Sequence, residues 1–351
     1  MSQTLSPAQP APPARRVQAA PRSVVRRVIA RPELSSLLGV VAVFVLFYAV
    51  APPFRSPAAL STVLYSSSTI GIVAVAVALL MIGGEFDLSA GVAVTSSSLT
   101  GAMVAFQFSV NVWVGVAAAL VLSLGIGFLN GYLVMRTKLP SFLITLATFL
   151  MLQGLNLAIT KLVSGNVATD SIADMDGFDS AKAFFASDIP LGGVTIKVTV
   201  LWWIVFVAIA TWILLRTKTG NWIFAVGGQQ DSSRAVGVPV KQTKIGLFMA
   251  VGFLAWFGGM HQLFAFDSVQ SGTGVGQELL FIAAAVIGGC LLTGGYGSAI
   301  GAGIGALIYG ATTQGIVYAG WNPDWVKFFV GATLLIATLL NMWVRLRTSR
   351  R

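Results

Sequence analysis

The sequence VWVGVAAALVLSLGIGFLNGYLV, residues 112–134, is a long apolar segment that carries no charged side chain. The hydrocarbon core of a bilayer is about 30 Å thick, and a helix needs about 20 apolar residues to cross it. Residues 112–134 are long enough for that crossing. They therefore predict a transmembrane helix.

The rest of the chain repeats this pattern on both sides. Of its 351 residues, 56% are hydrophobic and 10% are charged, and the mean hydropathy is +0.84. A soluble core could not bury that much apolar surface. We therefore expect an all-α, polytopic membrane protein of about ten transmembrane helices. The predicted spans are residues 34–50, 69–82, 90–106, 112–134, 142–159, 198–215, 245–264, 279–292, 300–319 and 325–344.

The basic residues predict the orientation. Lys and Arg accumulate on the cytoplasmic side of membrane proteins, and with a cytosolic N-terminus 17 of the 22 basic residues lie inside. An even number of spans then places both termini in the cytosol. The net charge of +10 is thus mainly a topology signal, and we do not expect nucleic-acid binding. The five basic residues on the outer side are Arg55, Lys161, Lys182, Lys197 and Lys327.

Composition also divides the chain. Residues 1–32 are rich in Pro, Ala and Arg and show no hydrophobic periodicity, so we expect a disordered, basic cytosolic tail. Residues 33–351 form the predicted transmembrane domain. Within that domain a polar, basic segment, residues 216–244, separates two groups of spans. It is expected to be a cytosolic loop that docks a partner.

Two pairs of similar motifs predict an internal repeat. FDLSAG at residues 86–91 is similar to FDSVQSG at residues 266–272, and NGYLVMRTKLPSFL from residue 130 is similar to QGIVYAGWNPDWVKFF from residue 314. In the predicted topology the members of each pair fall on opposite sides of the membrane. We expect an inverted repeat of approximately residues 60–160 against 244–345. Such repeats commonly form transport pathways near the bilayer midplane.

Glycine spacing predicts close contacts between helices. A GxxxG pattern lets two helix backbones approach where no hydrophobic drive brings them together. Gly127 and Gly131 form one such pattern, and Gly297, Gly301 and Gly305 form a double one.

Seven polar side chains in or beside the spans predict the pathway of a solute. A charge at the centre of a transmembrane helix costs about 2.5 to 3.5 kcal/mol, so polar groups there need a reason. The alternative is hydrogen bonding between helices, or exposure at the membrane surface. No Lys or Arg within the spans is expected to pair with the carboxylates, which favours a neutral, hydroxyl-rich solute over a proton relay. The seven residues are Glu85, Asp87, Asn130, Gln153, Asn156, His261 and Gln314.

Four motifs, in order along the chain, carry a family resemblance. They are IGGEFDLSAG at residues 82–91, LPSFLITLATFLMLQGL at 139–155, GGQQDSSRAVGV at 227–238 and ELLFIAAAVIGGCLLTGGYGSAIGAGIGALI at 278–308. From about residue 60 onward the chain resembles the permease subunits of bacterial ribose-type sugar ABC importers. The resemblance implies a ten-helix permease of the vitamin B12 importer type, in the bacterial inner membrane and surrounded by lipid. It also implies a cytosolic ABC ATPase, a periplasmic sugar-binding protein and a second permease subunit, identical or paralogous.

The same resemblance indicates where the ATPase is coupled. The family carries a GGNxxAARxxGI element in its cytosolic loop; here Gln229 replaces the Asn, and Ser232 and Ser233 replace the paired Ala. We expect a short helix near residues 230–236, N-capped by Asp231 and Ser232, that inserts into the ATPase. An ordinary solvated loop is the alternative. The expected coupling residues are Gly228, Gln230, Asp231, Arg234 and Gly237.

Catalysis by the chain itself is not expected. It contains no GxxxxGK[ST] phosphate loop, so ATP hydrolysis falls to the partner. With one Cys and one His, we expect no metal and no cofactor. Two other classes stay open. An ion-coupled secondary transporter would carry a buried coupling carboxylate and need no docking loop, and a membrane enzyme would need a clustered nucleophile, metal site or acid pair.

Overall fold

The computed structural model describes residues 32–349, and side chains within residues 36–339. The tail predicted for residues 1–32 lies outside this part of the chain, except for its last residue. The described part contains thirteen α-helices, one 3-10 turn at Pro52–Arg55 and one β-hairpin. The helices are α1 (Pro32–Val50), α2 (Pro57–Ile82), α3 (Ala90–Gln107), α4 (Val112–Thr137), α5 (Ser141–Ser164), α6 (Phe178–Phe185), α7 (Val198–Arg216), α8 (Lys218–Gly228), α9 (Gln230–Ala235), α10 (Val240–Phe266), α11 (Gln277–Ile287), α12 (Ala299–Tyr318) and α13 (Trp325–Ser349).

Six of these helices are long and apolar enough to cross a membrane: α2, α4, α5, α7, α10 and α12. Three more apolar helices are shorter over the residues described: 36–50, 277–287 and 325–339. Helix α3 is long but rich in hydroxyl groups, with the sequence TSSSLT at residues 95–100. The structure is therefore that of a polytopic, helical membrane protein.

Two predicted elements differ in the structure. The span expected at residues 279–292 ends at Ile287, because Gly288 closes the helix and Gly289 takes a positive φ of 93°. The protein is also not purely α-helical. Strands β1 (Asp188–Leu191) and β2 (Val194–Lys197) pair antiparallel across a Gly-Gly turn. Both glycines of this turn have positive φ, as a two-residue hairpin turn requires.

Two pairs of long helices form the centre of the bundle. α10 packs most extensively against α4, and α2 packs most extensively against α12. At the first contact, a Cβ on Gly131 would lie 2.8 Å from Ile245 Cα, and one on Gly127 would lie 2.9 Å from Met249 Cα. The Ser123 hydroxyl donates to the carbonyl of Gly252 at 2.7 Å across the same interface. Small residues thus allow these backbones to touch.

The second group of predicted packing glycines divides between a helix and a loop. Gly301 and Gly305 lie in α12, where an added Cβ would overlap carbonyl oxygens of Gly288 and Ala284. Gly297 lies before the N-cap of α12, so it does not continue their helical stripe. A Cβ there would lie 2.7 Å from both Cys290 Sγ and Ile82 Cγ1. The expected double GxxxG is therefore one helical contact and one loop contact.

Candidate functional site

One end of the bundle carries Arg136, Lys138, Arg216 and Arg234, and we call it the basic end. The segment predicted as a loop at residues 216–244 is mostly helical there. α8 ends at Gly228, Gln229 is extended with φ −152°, and α9 follows as a separate short helix. The N-cap of α9 is Gln229, and it makes no side-chain capping bond. The prediction that Asp231 and Ser232 cap this helix is therefore wrong, because the chain turns two residues earlier.

A buried ion pair joins α9 to the rest of the bundle. Lys244 in α10 donates from Nζ to Glu85 Oε1, and the same ammonium donates to Gln230 Oε1 at 2.6 Å. Lys244 and Glu85 are only 5% and 9% exposed. This pairing corrects the expectation that no Lys or Arg pairs with the carboxylates. It also places Glu85 beside the expected coupling helix, at the basic end.

A pocket opens next to this ion pair. Its volume is about 250 Å³, and it lies between α9 and the end of α4. Asp231 and Arg234 of α9 face Lys138 across it, and Glu85 contributes to its wall. Gly237 follows α9 with φ +84°, a conformation that favours glycine. Of the expected coupling residues, Gln230, Asp231 and Arg234 line this charged cavity together with Glu85.

Five glycines bring three segments of backbone into direct contact just before α9. They are Gly84 after α2, Gly227 and Gly228 at the end of α8, and Gly294 and Gly295 in the loop before α12. Gly295 N donates to the Ile82 carbonyl at 2.8 Å. An added Cβ on Gly227 would overlap that same Ile82 carbonyl. We call this contact the glycine crossing; it joins the end of α8, just before α9, to the end of α2 and to the loop that leads into α12.

A chain of buried hydrogen bonds joins Asp87 to α5. Ser89 donates to Asp87 Oδ1 from its backbone N at 2.8 Å and from its hydroxyl at 2.6 Å. Asn130 Nδ2 donates to Ser89 Oγ at 2.9 Å, and Thr148 Oγ1 donates to Asn130 Oδ1 at 2.7 Å. All four side chains are buried. The structure thus connects Asp87 and Asn130, which were predicted individually as pathway residues, through Ser89.

Asn156 makes a second polar link between α5 and α3. Its Oδ1 accepts from Ser96 Oγ at 2.8 Å, and its Nδ2 donates to the Val92 carbonyl at 3.3 Å. Buried amides that satisfy partners on other helices stabilise the packing of transmembrane bundles. In this conformation Asn156 therefore holds α5 against the bundle.

His261 lies at the end of the bundle opposite Glu85, because it contacts the first half of α2 rather than its end. Its Nε2 is 3.2 Å from Tyr65 OH, and its Nδ1 is 2.9 Å from the Phe185 carbonyl and 2.9 Å from Thr199 Oγ1. A carbonyl can only accept, so the hydrogen-bond network assigns the proton to Nδ1, and Nε2 accepts from Tyr65. The imidazole thereby joins α2, α6, α7 and α10.

The remaining predicted pathway residues stand apart from these networks. Gln153 on α5 and Gln314 on α12 are half-buried and take part in none of the bonds described above. Glu278, at the start of α11, is a buried carboxylate that was not among the predicted pathway residues. Gly276 N donates to both of its carboxylate oxygens at 3.1 Å. Its position at the start of an apolar run was the available signal, because acidic groups favour helix N-termini.

The chain is similar to known proteins over most of its length. Residues 59–338 match the family described as branched-chain amino acid transport system / permease component. The chain is 31% identical over 312 residues to the ribose import permease protein of Escherichia coli strain K12, covering 88% of this chain and 93% of that protein. No solved structure matches it significantly.

Two further relatives are similar over most of the chain. The fructose import permease protein of Rhizobium meliloti is 29% identical over 292 residues, 83% of this chain and 80% of that protein. The galactose/methyl galactoside import permease protein of Escherichia coli strain K12 is 29% identical over 303 residues, 83% of this chain and 88% of that protein. All three relatives are import permeases for monosaccharides or their methyl glycosides.

Proposed function

The chain belongs to the branched-chain amino acid transport system / permease component family, and we therefore propose that it forms the translocation pathway for a monosaccharide in a bacterial ABC importer. The observation that carries this proposal is the match to ribose, fructose and galactose import permeases along most of the chain. The polytopic helical fold agrees with it. The protein is a transport subunit of the bacterial inner membrane, and not an enzyme.

The partners follow from this role. A cytosolic ATPase supplies the energy, and a periplasmic binding protein delivers the sugar. We place the basic end in the cytosol, together with both termini, because basic residues accumulate on that side. The opposite end, which carries the hairpin and α6, then faces the periplasm. This arrangement requires about ten spans, so the shorter apolar helices and α3 also belong to the membrane domain, as in vitamin B12 importer-type permeases.

An inverted repeat underlies the bundle in this proposal. The pairing of helices supports it: α2 packs on α12, and α10 packs on α4. In a two-fold arrangement of residues 60–160 against 244–345, these two contacts are equivalent. Both contain small residues, since an added Cβ on Gly310 would lie 2.7 Å from Ser67 N at the first, and Gly252 meets Ser123 at the second.

A second permease subunit covers α5 in this proposal. Helix α5 is apolar, yet it is the least buried of the six long spans. Its exposed side chains include Phe142, Leu150 and Met151. Gln153 lies on the same helix and is half-buried. A pathway formed between two subunits would place this amide where a sugar hydroxyl could bind it. Asp87, Asn130 and Asn156 would lie behind α5 and position it through their hydrogen bonds.

The coupling helix in this proposal is α9. It is short, it is exposed at Asp231 and Arg234, and it stands beside a charged pocket. The Lys244–Gln230 bond joins α9 directly to α10, and the glycine crossing joins the end of α8, which precedes α9, to the end of α2. A displacement of α9 by the ATPase would therefore move the two long helices at the centre of the bundle.

Reconstitution tests the function. The full chain is placed in vesicles with the cognate ATPase and binding protein, and uptake of ribose, fructose and galactose is measured separately. We expect uptake of at least one sugar only when ATP and both partners are present. Uptake by the chain alone under an ion gradient would instead establish a secondary transporter.

A further inference from the structure

A groove runs along the outer face of the bundle between α7 and α12. Its volume is about 610 Å³, and its walls are almost wholly apolar, with Trp203, Val207, Trp212 and Leu307 among them. Gly303 lies in its floor, where α12 comes close to α7: a Cβ there would lie 3.2 Å from Val207 Cγ2. The groove therefore has the shape and surface to hold a hydrocarbon chain.

The charge of this groove is confined to one end. Among the side chains that the structure describes, Arg216 is the one ionised residue that lines it, and it lies at the basic end where α7 stops. Lys218 follows at the start of α8, and both side chains are exposed. Within the part of the chain described, neither forms an ion pair with a carboxylate. One cation without an acidic partner, Arg216, thus stands at the end of an apolar groove, and a second, Lys218, follows two residues later in the chain.

The length of the groove fits one leaflet of a bilayer. From Trp203 to Arg216 along α7 the helix rises about 20 Å, at 1.5 Å per residue. Half of a bilayer's hydrocarbon core is about 15 Å. A lipid whose chain lies along this part of α7 would therefore place its headgroup beside Arg216. Basic pockets at the ends of transmembrane helices are where anionic headgroups bind.

We propose that this groove is a binding site for an anionic phospholipid. One acyl chain lies between α7 and α12 over Gly303, and the headgroup phosphate is bound by Arg216 and Lys218. The proposal needs only that these helices span the membrane. It does not depend on which sugar is carried, or on which partner drives the transport.

A second copy of the chain fits this groove less well. A two-fold axis along the membrane normal would bring the two copies of Arg216 towards each other, and no carboxylate within residues 36–339 lines the groove to compensate them. The exposed helix α5 also lies elsewhere, because it packs on α3 and α4 whereas α7 packs on α2 and α12. The charge and the position of the groove thus favour lipid.

Native mass spectrometry of the full chain in detergent tests the proposal. The chain is titrated with phosphatidylglycerol and, separately, with phosphatidylcholine of the same acyl chains. We expect preferential retention of phosphatidylglycerol by the wild type. Arg216→Gln/Lys218→Gln should reduce that retention about thirtyfold, as the loss of two cations beside a headgroup predicts. Gly303→Leu, which fills the floor, should reduce retention of both lipids.

Matched controls separate the groove from general effects. Arg136→Gln/Lys138→Gln removes two basic groups from the same end of the bundle, and Gly125→Leu adds the same side chain to α4 at a position with open space. Both should retain phosphatidylglycerol as the wild type does. Unchanged retention in Arg216→Gln/Lys218→Gln or in Gly303→Leu would overturn the proposal. Disulfide cross-linking of Trp212→Cys to its own copy in membranes would assign the groove to a dimer instead.

Discussion

At the scale of single residues, the Lys244–Glu85 pair buries two opposite charges at the basic end. Taking two charges out of water is expensive, and their attraction offsets that cost only when the remaining donors and acceptors are also satisfied. Gln230 supplies one such partner to Lys244. The carboxylate, the ammonium and the amide come from three separate segments, so the ion pair also fixes how these segments meet.

Removing one member of this pair should therefore destabilise the protein strongly. Lys244→Met leaves the Glu85 carboxylate buried without a cation, a change that typically costs about 3 to 5 kcal/mol. We expect a clear fall in the thermal unfolding midpoint of the purified chain in detergent. Lys241→Met, at an exposed position one turn earlier, is the control and should change it little. Lys244→Met/Glu85→Leu should recover most of the loss, and equal midpoints for Lys244→Met and Lys241→Met would show that the pair is solvated.

The glycine crossing permits an equally local test, because two adjacent glycines differ in their surroundings. A Cβ on Gly227 would overlap the Ile82 carbonyl, whereas one on Gly228 would meet nothing within 4 Å. Gly227→Ala should cost about 1 to 3 kcal/mol, as overpacking does, and should uncouple ATP hydrolysis from transport. Gly228→Ala should preserve both. We would measure the unfolding midpoint and the sugar-stimulated ATPase rate; similar values for the two variants would mean that the crossing is loose.

At the scale of elements, sequence patterns predict the long helices well, and short or tertiary features poorly. The apolar runs give α2, α4, α5, α7, α10 and α12 because length and hydropathy decide a span. The hairpin of β1 and β2 was detectable, since DIPL and VTIK flank a Gly-Gly pair. Helix α8 was missed because it is short and amphipathic, and lies within a segment rich in polar residues.

The site shows the same division between what is local and what is not. The position of α9 follows from its bracketing glycines and its family motif. The contact of Glu85 with Lys244 joins residues 159 positions apart, and no periodicity in the sequence indicates it. Likewise, the chain from Asp87 through Asn130 to Thr148 depends on how three segments pack. Polarity within spans identified such residues; the fold alone decides which of them meet.

Helix α9 carries the prediction at this scale. If Arg234 pairs with a carboxylate on the ATPase, Arg234→Glu would place like charges across that contact, which can cost several kcal/mol. We expect at least a tenfold loss of co-purified ATPase with normal membrane insertion. Gly237→Pro should impair stimulation, because φ at this position is +84° and proline holds φ near −65°. Lys161→Glu, the same type of change at the opposite end, is the control. If both α9 variants retained wild-type amounts of co-purified ATPase and wild-type sugar-stimulated ATPase activity, α9 would only link its neighbouring helices and would not transmit movement.

At the scale of the whole molecule, the two ends of the bundle carry different chemistry. Five of the seven predicted pathway residues are engaged in buried contacts between helices, and they fall into separate groups: Glu85 at the basic end, the Asp87, Asn130 and Asn156 bonds behind α5, and His261 at the other end. The bundle therefore has a buried polar network at each end and a row of buried hydrogen bonds along α5. A transport cycle that opens one end and closes the other would act on these networks in turn.

The orientation of the two ends decides whether α9 can reach a cytosolic ATPase. Cys290 is buried, and Cys290→Ala gives a background without other thiols. Ser180→Cys on α6 and Gln242→Cys at the start of α10 both occupy exposed positions at opposite ends of the bundle. Because basic residues accumulate in the cytosol, a membrane-impermeant maleimide added to intact spheroplasts should label Ser180→Cys and spare Gln242→Cys. Inverted membrane vesicles should give the reverse pattern, and permeabilised membranes should label both. Labelling of both positions from one side would contradict the ten-span topology, and labelling of Gln242→Cys from outside would invert it and remove α9 from the reach of any cytosolic ATPase.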